Sequence, residues 1–343
     1  MFKGCYTALV TPMLKDGKVD FEGLKSLVEF QISQSVNGIL AVGTTGESPT
    51  LTWEEHNLVT ERIREFNDEK SLTIAGTGSN CTLESLKGTQ HAYDFGIRAI
   101  LLVDPYYNGP SSLEIRREYI APIAERFPEV QIIPYVIPGR SGTQLLPQDL
   151  AILHSQYPNV RVVKEATGSL DNMKLTRRLC GEDFDILSGD DDKTFTMMTD
   201  NEIRASGVIS VVSNVAPYAV KIMTVLILEG RIDEATKLAN DLKPLFEIVT
   251  VKTSEVTEFG EVLVKARNPV PYKTLMNVLG MPAGPMRQPL GRMTKKGLQV
   301  VLEAAKKVYE NTPAVLKPVE LFFNVDLSQR LYKEEFWKGL TYD

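Results

Sequence analysis

Cysteine and histidine are scarce, with three of each in 343 residues. Cys5, Cys81 and Cys180 lie far apart and form no Cys-x-x-Cys pair. A chain this long needs no disulfide staples, so a reducing compartment, the cytoplasm, is expected. His56, His91 and His154 show no i, i+4 spacing, which argues against a metal site. No apolar run approaches the roughly 18 residues of a bilayer span, and the N-terminus has no signal-peptide core, so no membrane association is expected. An excess of positive charge is also missing. Lys+Arg 38 against Asp+Glu 44 gives a net charge of −6, so nucleic acid is not an expected partner. What is present, 43% hydrophobic and 24% charged residues, is the composition of a globular protein rather than a disordered one.

Up to about residue 230, short apolar runs alternate with amphipathic stretches of helical length, the pattern of repeated βα units. The runs Cys5–Thr11, Gly38–Val42, Leu72–Ala75, Ala99–Val103, Ile132–Val136, Val160–Lys164, Asp185–Leu187 and Gly207–Ser210 predict eight buried strands. Eight such units favour a closed (β/α)8 TIM barrel over an open doubly wound sheet. Beyond them, Ala216–Glu229, Ile232–Val251, Lys273–Leu279 and Thr294–Tyr309 read as helices among several prolines, a C-terminal helical appendage. The expected division is a barrel over 1–230, a helical domain over 231–310 and an extension over 311–343. The extension carries Phe322, Phe323, Tyr332, Phe336 and Trp337, too aromatic for a disordered tail. It packs either on a neighbouring subunit or on its own helical domain.

In a βα barrel, the polar residues just after each strand form the active site. Gly43-Thr-Thr-Gly-Glu47 follows the second strand, where its amides and hydroxyls could hold a carboxylate or phosphate, or simply make a turn. Period-2 alternation puts Val160, Val162 and Lys164 on one strand face. If that face is the barrel interior, burial lowers the pKa of Lys164 and frees an amine able to form a Schiff base; a solvated strand-end lysine is the other reading. Tyr135 and Arg140 follow the fifth strand, and Tyr106 and Tyr107 the fourth. A guanidinium there suits a substrate carboxylate, while such tyrosines more often pack than carry protons. Ser188-Gly-Asp-Asp191 and Gly207-Val-Ile-Ser210 end the last two strands. The adjacent aspartates read equally as metal ligands or a helix N-cap.

In this order and spacing, Gly43-Thr-Thr-Gly-Glu47, Ala75-Gly-Thr-Gly-Ser-Asn80, Pro105-Tyr-Tyr107, Tyr135 with Pro138-Gly-Arg-Ser-Gly142, Lys164-Glu-Ala-Thr-Gly168, Ser188-Gly-Asp-Asp191 and Asn268-Pro-Val-Pro271 resemble the dihydrodipicolinate synthase / N-acetylneuraminate lyase family of class I pyruvate-dependent aldolases, over about residues 2–300. Thr44-Thr45, Arg140 and Lys-Glu-Ala-Thr-Gly look like its lysine-biosynthetic branch, which condenses pyruvate with L-aspartate 4-semialdehyde. The resemblance implies Lys164 as Schiff-base nucleophile and Thr45 as holder of the pyruvate carboxylate. It implies Tyr135, Thr44 and Tyr107 as a proton relay, with Tyr107 supplied by the neighbouring subunit. Arg140 would position the aldehyde, and Gly189 and Ile209 would line the site through their carbonyls. No metal or organic cofactor is implied. The assembly would be a homo-oligomer, a tetramer built as a dimer of tight dimers.

Trp53, His56, Asn80, Glu84 and Tyr106 match the family's inhibitory L-lysine site, with helix-face and cap roles as the plain alternative. Val136, Ser141 and Pro49 depart from the family pattern. A sibling aldolase acting on sugar acids or hydroxy-oxo acids would share Lys164, and a non-catalytic sensor of pyruvate or lysine would not need the whole relay.

Overall fold

A computed structural model describes residues 2–342. Eight parallel strands, β1 (Gly4–Ala8), β2 (Gly38–Ala41), β3 (Leu72–Gly76), β4 (Ala99–Val103), β5 (Gln131–Val136), β6 (Val162–Glu165), β7 (Asp185–Ser188) and β8 (Gly207–Ser210), close into a barrel in sequence order. The closure is β8 pairing with β1, through Cys5↔Val208 and Tyr6↔Ile209.

Alternation along each strand explains why so many apolar residues are needed. Leu40, Ile74, Leu101, Ile133, Val162, Leu187 and Ile209 form one buried cluster that fills the barrel. Their sequence neighbours Ile39, Ile100, Ile132, Val163, Ile186 and Val208 belong to a second cluster, shared with the surrounding helices. Each buried aliphatic side chain of this kind contributes about 1.5–3 kcal/mol. The helices are fixed at their starts by side chains: Asp20 accepts from Gly23 at the head of Phe21–Ser33, and Thr52 and Glu55 make a capping box at the head of Trp53–Asn67.

The expected barrel is present, with small shifts of boundary. β1 stops at Ala8 rather than Thr11: Leu9, Val10 and Thr11 are buried in an irregular segment, where the Val10 amide donates to Asn214 Oδ1 instead of a neighbouring strand. β6 begins at Val162 rather than Val160, whose amide closes a turn onto Tyr157.

The C-terminal region is helical, over Pro217–Leu228, Ile232–Glu247, Val270–Leu279 and Lys295–Asn311, with one correction. The expected helix 232–251 ends at Glu247, and an antiparallel hairpin follows, β9 (Thr250–Thr257) with β10 (Gly260–Arg267). The β-branched residues of Thr-Val-Lys-Thr-Ser-Glu-Val-Thr suit a pleated ribbon, and Gly260 takes the positive φ (+115°) that the reversal needs.

The extension packs on its own chain. Phe322 and Phe323 each place a ring 5.2 Å from Phe30, on the first barrel helix. Arg330 donates to the carbonyls of Asn277 and Val278, and Trp337 Nε1 donates to Arg330 O at 2.7 Å. Phe322 and Phe323 thus meet a helix of the barrel, and Arg330 the end of a helix in the C-terminal region. Among the described residues, no helix is long and apolar enough to cross a membrane.

Candidate active site

The C-terminal ends of β5 and β6 lie side by side, with Tyr135 in register with Lys164. Lys164 is buried, and its Nζ sits 4.2 Å from the centre of the Tyr135 ring. Among the described residues it has no ion-pair partner. Burial lowers it from 10.5 to about 8, against the opposing pull of Asp191 and Asp190. Burial also pushes the Tyr135 phenol up, while the Arg140 charge and the Thr44 hydroxyl draw it back. The result is an amine whose pKa lies near neutral pH beside a protonated phenol, a pairing suited to carbonyl attack with proton delivery.

Thr44, Thr45, Tyr135, Arg140, Lys164 and Gly189 line one cavity of about 360 Å³. Ile209 lies in the packed barrel interior beneath. Thr45 Oγ1 accepts from Asn268 Nδ2 at 2.9 Å, and Arg140 Nη2 donates to Asn268 O at 3.1 Å. Asn268 therefore ties the loop carrying Thr45 to the arginine. Its other amide atom, Oδ1, is buried without a partner among the described residues and is free to accept a hydrogen bond. The sequence shows Asn268 only as part of an Asn-Pro-Val-Pro run.

The loop Gly43–Ser48 is held from below. Glu47, in a left-handed conformation (φ +59°), pairs with Lys273 Nζ at 2.6 Å, both side chains being fully buried. Lys273 also donates to Thr11 O and Pro285 O, and Glu47 accepts from Arg287 N. The two groups are 226 residues apart, a separation at which no local pattern reveals a pair. Asp191 is a second buried anchor. It accepts from the Ser210 hydroxyl and from the amides of Val211 and Val212, so it caps the turn after β8 rather than its own helix.

The sequence model of the Dihydrodipicolinate synthetase family matches residues 1–308. This chain belongs to that family. The 4-hydroxy-tetrahydrodipicolinate synthase of Sulfurihydrogenibium sp. is 40% identical over 308 residues, 90% of this chain and 98% of the relative. The crystal structure of DHDPS from Cyanidioschyzon merolae with lysine bound has a TM-score of 0.81 at 31% identity, covering 90% of this chain and 98% of that one. The chloride-inhibited dihydrodipicolinate synthase from Acinetobacter baumannii complexed with pyruvate has the same TM-score at 34% identity, covering 90% and 99%.

Tyr107 does not line the cavity of Lys164. It has a positive φ (+78°), its side chain is 91% exposed, and it lines an adjoining cavity of about 530 Å³ that also reaches Thr44, Pro49 and Tyr135. Nearby, Trp53 lies against buried His56, ring centres 4.7 Å apart. Ser79 Oγ bonds both Asn80 and Glu84, and burial, with the Glu84 charge adding to it, pushes the Tyr106 phenol up. Asn80 lines a third cavity, of about 320 Å³.

Proposed function

We propose that this chain carries out the 4-hydroxy-tetrahydrodipicolinate synthase reaction, a lyase-class condensation of pyruvate with L-aspartate 4-semialdehyde. The observation that carries the reading is Lys164, a buried lysine drawn down to about 8 at the floor of a cavity that also holds Thr45 and Arg140. Its amine attacks the pyruvate carbonyl and water leaves, giving an imine. Loss of a methyl proton gives the enamine, which forms a carbon–carbon bond with the aldehyde. The substrate amine then displaces Lys164 and closes the ring. Each stage moves protons, and Tyr135, Thr44 and a neighbour's Tyr107 form the relay. The exposure of Tyr107 supports its service to a second subunit, in a homotetramer built from tight dimers in the cytoplasm.

L-Lysine is the proposed inhibitor, held by Trp53, His56, Asn80, Glu84 and Tyr106. Burial lowers the His56 imidazole to about 4 and keeps it neutral, so Glu84 is the charge that an ammonium ligand would meet. The test is pyruvate-dependent consumption of L-aspartate 4-semialdehyde with and without L-lysine. Turnover that lysine suppresses is expected. Turnover indifferent to lysine would remove the effector site, and pyruvate trapping by borohydride without turnover would move the chain to a sibling aldolase.

A further inference from the structure

The hairpin of β9 and β10 is fixed along one face only. Val251 is buried, Ala266 packs against the main core, Thr253 meets the Thr294 hydroxyl at 3.3 Å, and Lys296 Nζ donates to Ser254 O at 2.8 Å. Alternation then turns the intervening side chains to the opposite face. Thr250, Lys252, Lys265 and Arg267 line the same cavity as Lys164 and Arg140.

This places four cations at one mouth. Lys252 and Lys265 are directly opposed in the hairpin register, an arrangement that destabilises an antiparallel pair. Arg140 Nη2 donates to Asn268 O beside the hairpin, and Arg267 Nη1 donates to Gly139 O beside Arg140, each at 3.1 Å. The two guanidiniums are thereby stapled to opposite sides of one seam. Lys265 is pushed down first by Arg267, with Lys252 and Arg140 adding to it. Among the described residues, none of the four has an ion-pair partner. Asp190, the carboxylate lining the same cavity, faces Lys164, Lys193 and Arg140.

We propose that Lys252, Lys265 and Arg267, together with Arg140, form an anion subsite that receives the carboxylate of the incoming aldehyde and makes the hairpin the lip that selects the second substrate. The inference rests on the pyruvate-aldolase reading and adds which segment of this chain chooses the acceptor. A carboxylate bound there relieves the repulsion among the four cations, and arginine's planar fork suits it. The pyruvate carboxylate is held elsewhere, at Thr45, so the two substrates respond separately to loss of the lip.

Lys252→Ala/Lys265→Ala carries the test, because among the described residues neither side chain makes a hydrogen bond whose loss would disturb the fold. KM for L-aspartate 4-semialdehyde should rise about fivefold or more, with kcat and the KM for pyruvate within about twofold. Lys237→Ala, which removes one lysine charge from the exposed face of Ile232–Glu247, should change none of these. An unmoved aldehyde KM, or a pyruvate KM that rises in step with it, overturns the proposal.

Calorimetry with succinate as a carboxylate probe, on enzyme first reduced with borohydride in the presence of pyruvate, reads the subsite without turnover. Binding at least about fivefold weaker in the double variant supports the subsite, and equal binding overturns it. A wild-type enzyme that binds succinate through these lysines yet does not consume the semialdehyde would refute the proposed reaction and leave the subsite standing.

Discussion

Two buried lysines sit near the same barrel mouth and meet opposite surroundings. Lys273 has a carboxylate at 2.6 Å and two carbonyl acceptors, whereas Lys164 has the face of a tyrosine ring. Burial pushes both ammonium groups down, but at Lys273 the Glu47 charge opposes it at contact distance. One lysine is thus an anchor kept in its ion pair, and the other a nucleophile whose pKa is drawn down toward neutral pH. Partner geometry decides the role, since depth of burial is common to both.

The comparison breaks most sharply at Lys164. Lys164→Ala should abolish borohydride trapping of pyruvate and reduce turnover to background, while the fold persists because no hydrogen bond or ion pair among the described residues is lost. Trapping that survives in this variant would transfer the nucleophile elsewhere. Lys273→Met, in contrast, should leave trapping intact in the folded protein.

The cost at Lys273 is one of stability. Removing it strands the Glu47 carboxylate in a fully buried position, which costs about 3–5 kcal/mol. Adding Glu47→Gln should recover part of that loss, because the second change removes the unpaired charge. Denaturant midpoints of the two single variants and the double variant measure this. Strictly additive losses would show that the two side chains act independently, and that the loop Gly43–Ser48 is held by its other bonds.

The sequence made one lysine legible and hid the other. Lys164 ends an apolar run and shares a strand face with Val160 and Val162, so periodicity narrowed it to an interior or a solvated strand-end lysine, and the family resemblance pointed to the interior. Lys273 reads as an ordinary member of a helix, because its partner lies 226 residues away. The eight barrel strands were legible because both of their faces are apolar, so they stand out as short apolar runs between helical stretches. The hairpin was not, because Ile248, Val249 and Val251 prolong the preceding helical pattern, while Val256, Phe259, Val262 and Leu263 are exposed and mark no core-facing side. Its clues were local: β-branched residues on both arms and a glycine at the turn. The aromatic extension was legible as a packing segment, but which surface it meets depends on Phe30 and the carbonyls of Asn277 and Val278, contacts that no sequence pattern specifies.

The smallest expected effect sharpens the account of Lys164. Imine formation requires the neutral amine, and a pKa of about 8 leaves about a tenth of the lysine neutral at pH 7, against roughly three parts in ten thousand for an ordinary lysine. The rate of imine formation should therefore climb tenfold per pH unit below pH 8 and level off above it. A rate still climbing at pH 10 would show an unperturbed lysine. Asp190 stabilises the ammonium form, so Asp190→Asn should lower the Lys164 pKa and move the inflection to lower pH, enriching the neutral amine at pH 7. Asp191 is a poorer choice for this experiment, because its three hydrogen bonds hold the turn after β8 and its loss would mix a structural change with the electrostatic one. An inflection that stays in place in Asp190→Asn would leave burial as the main control on the nucleophile, with Asp191 the remaining counterweight.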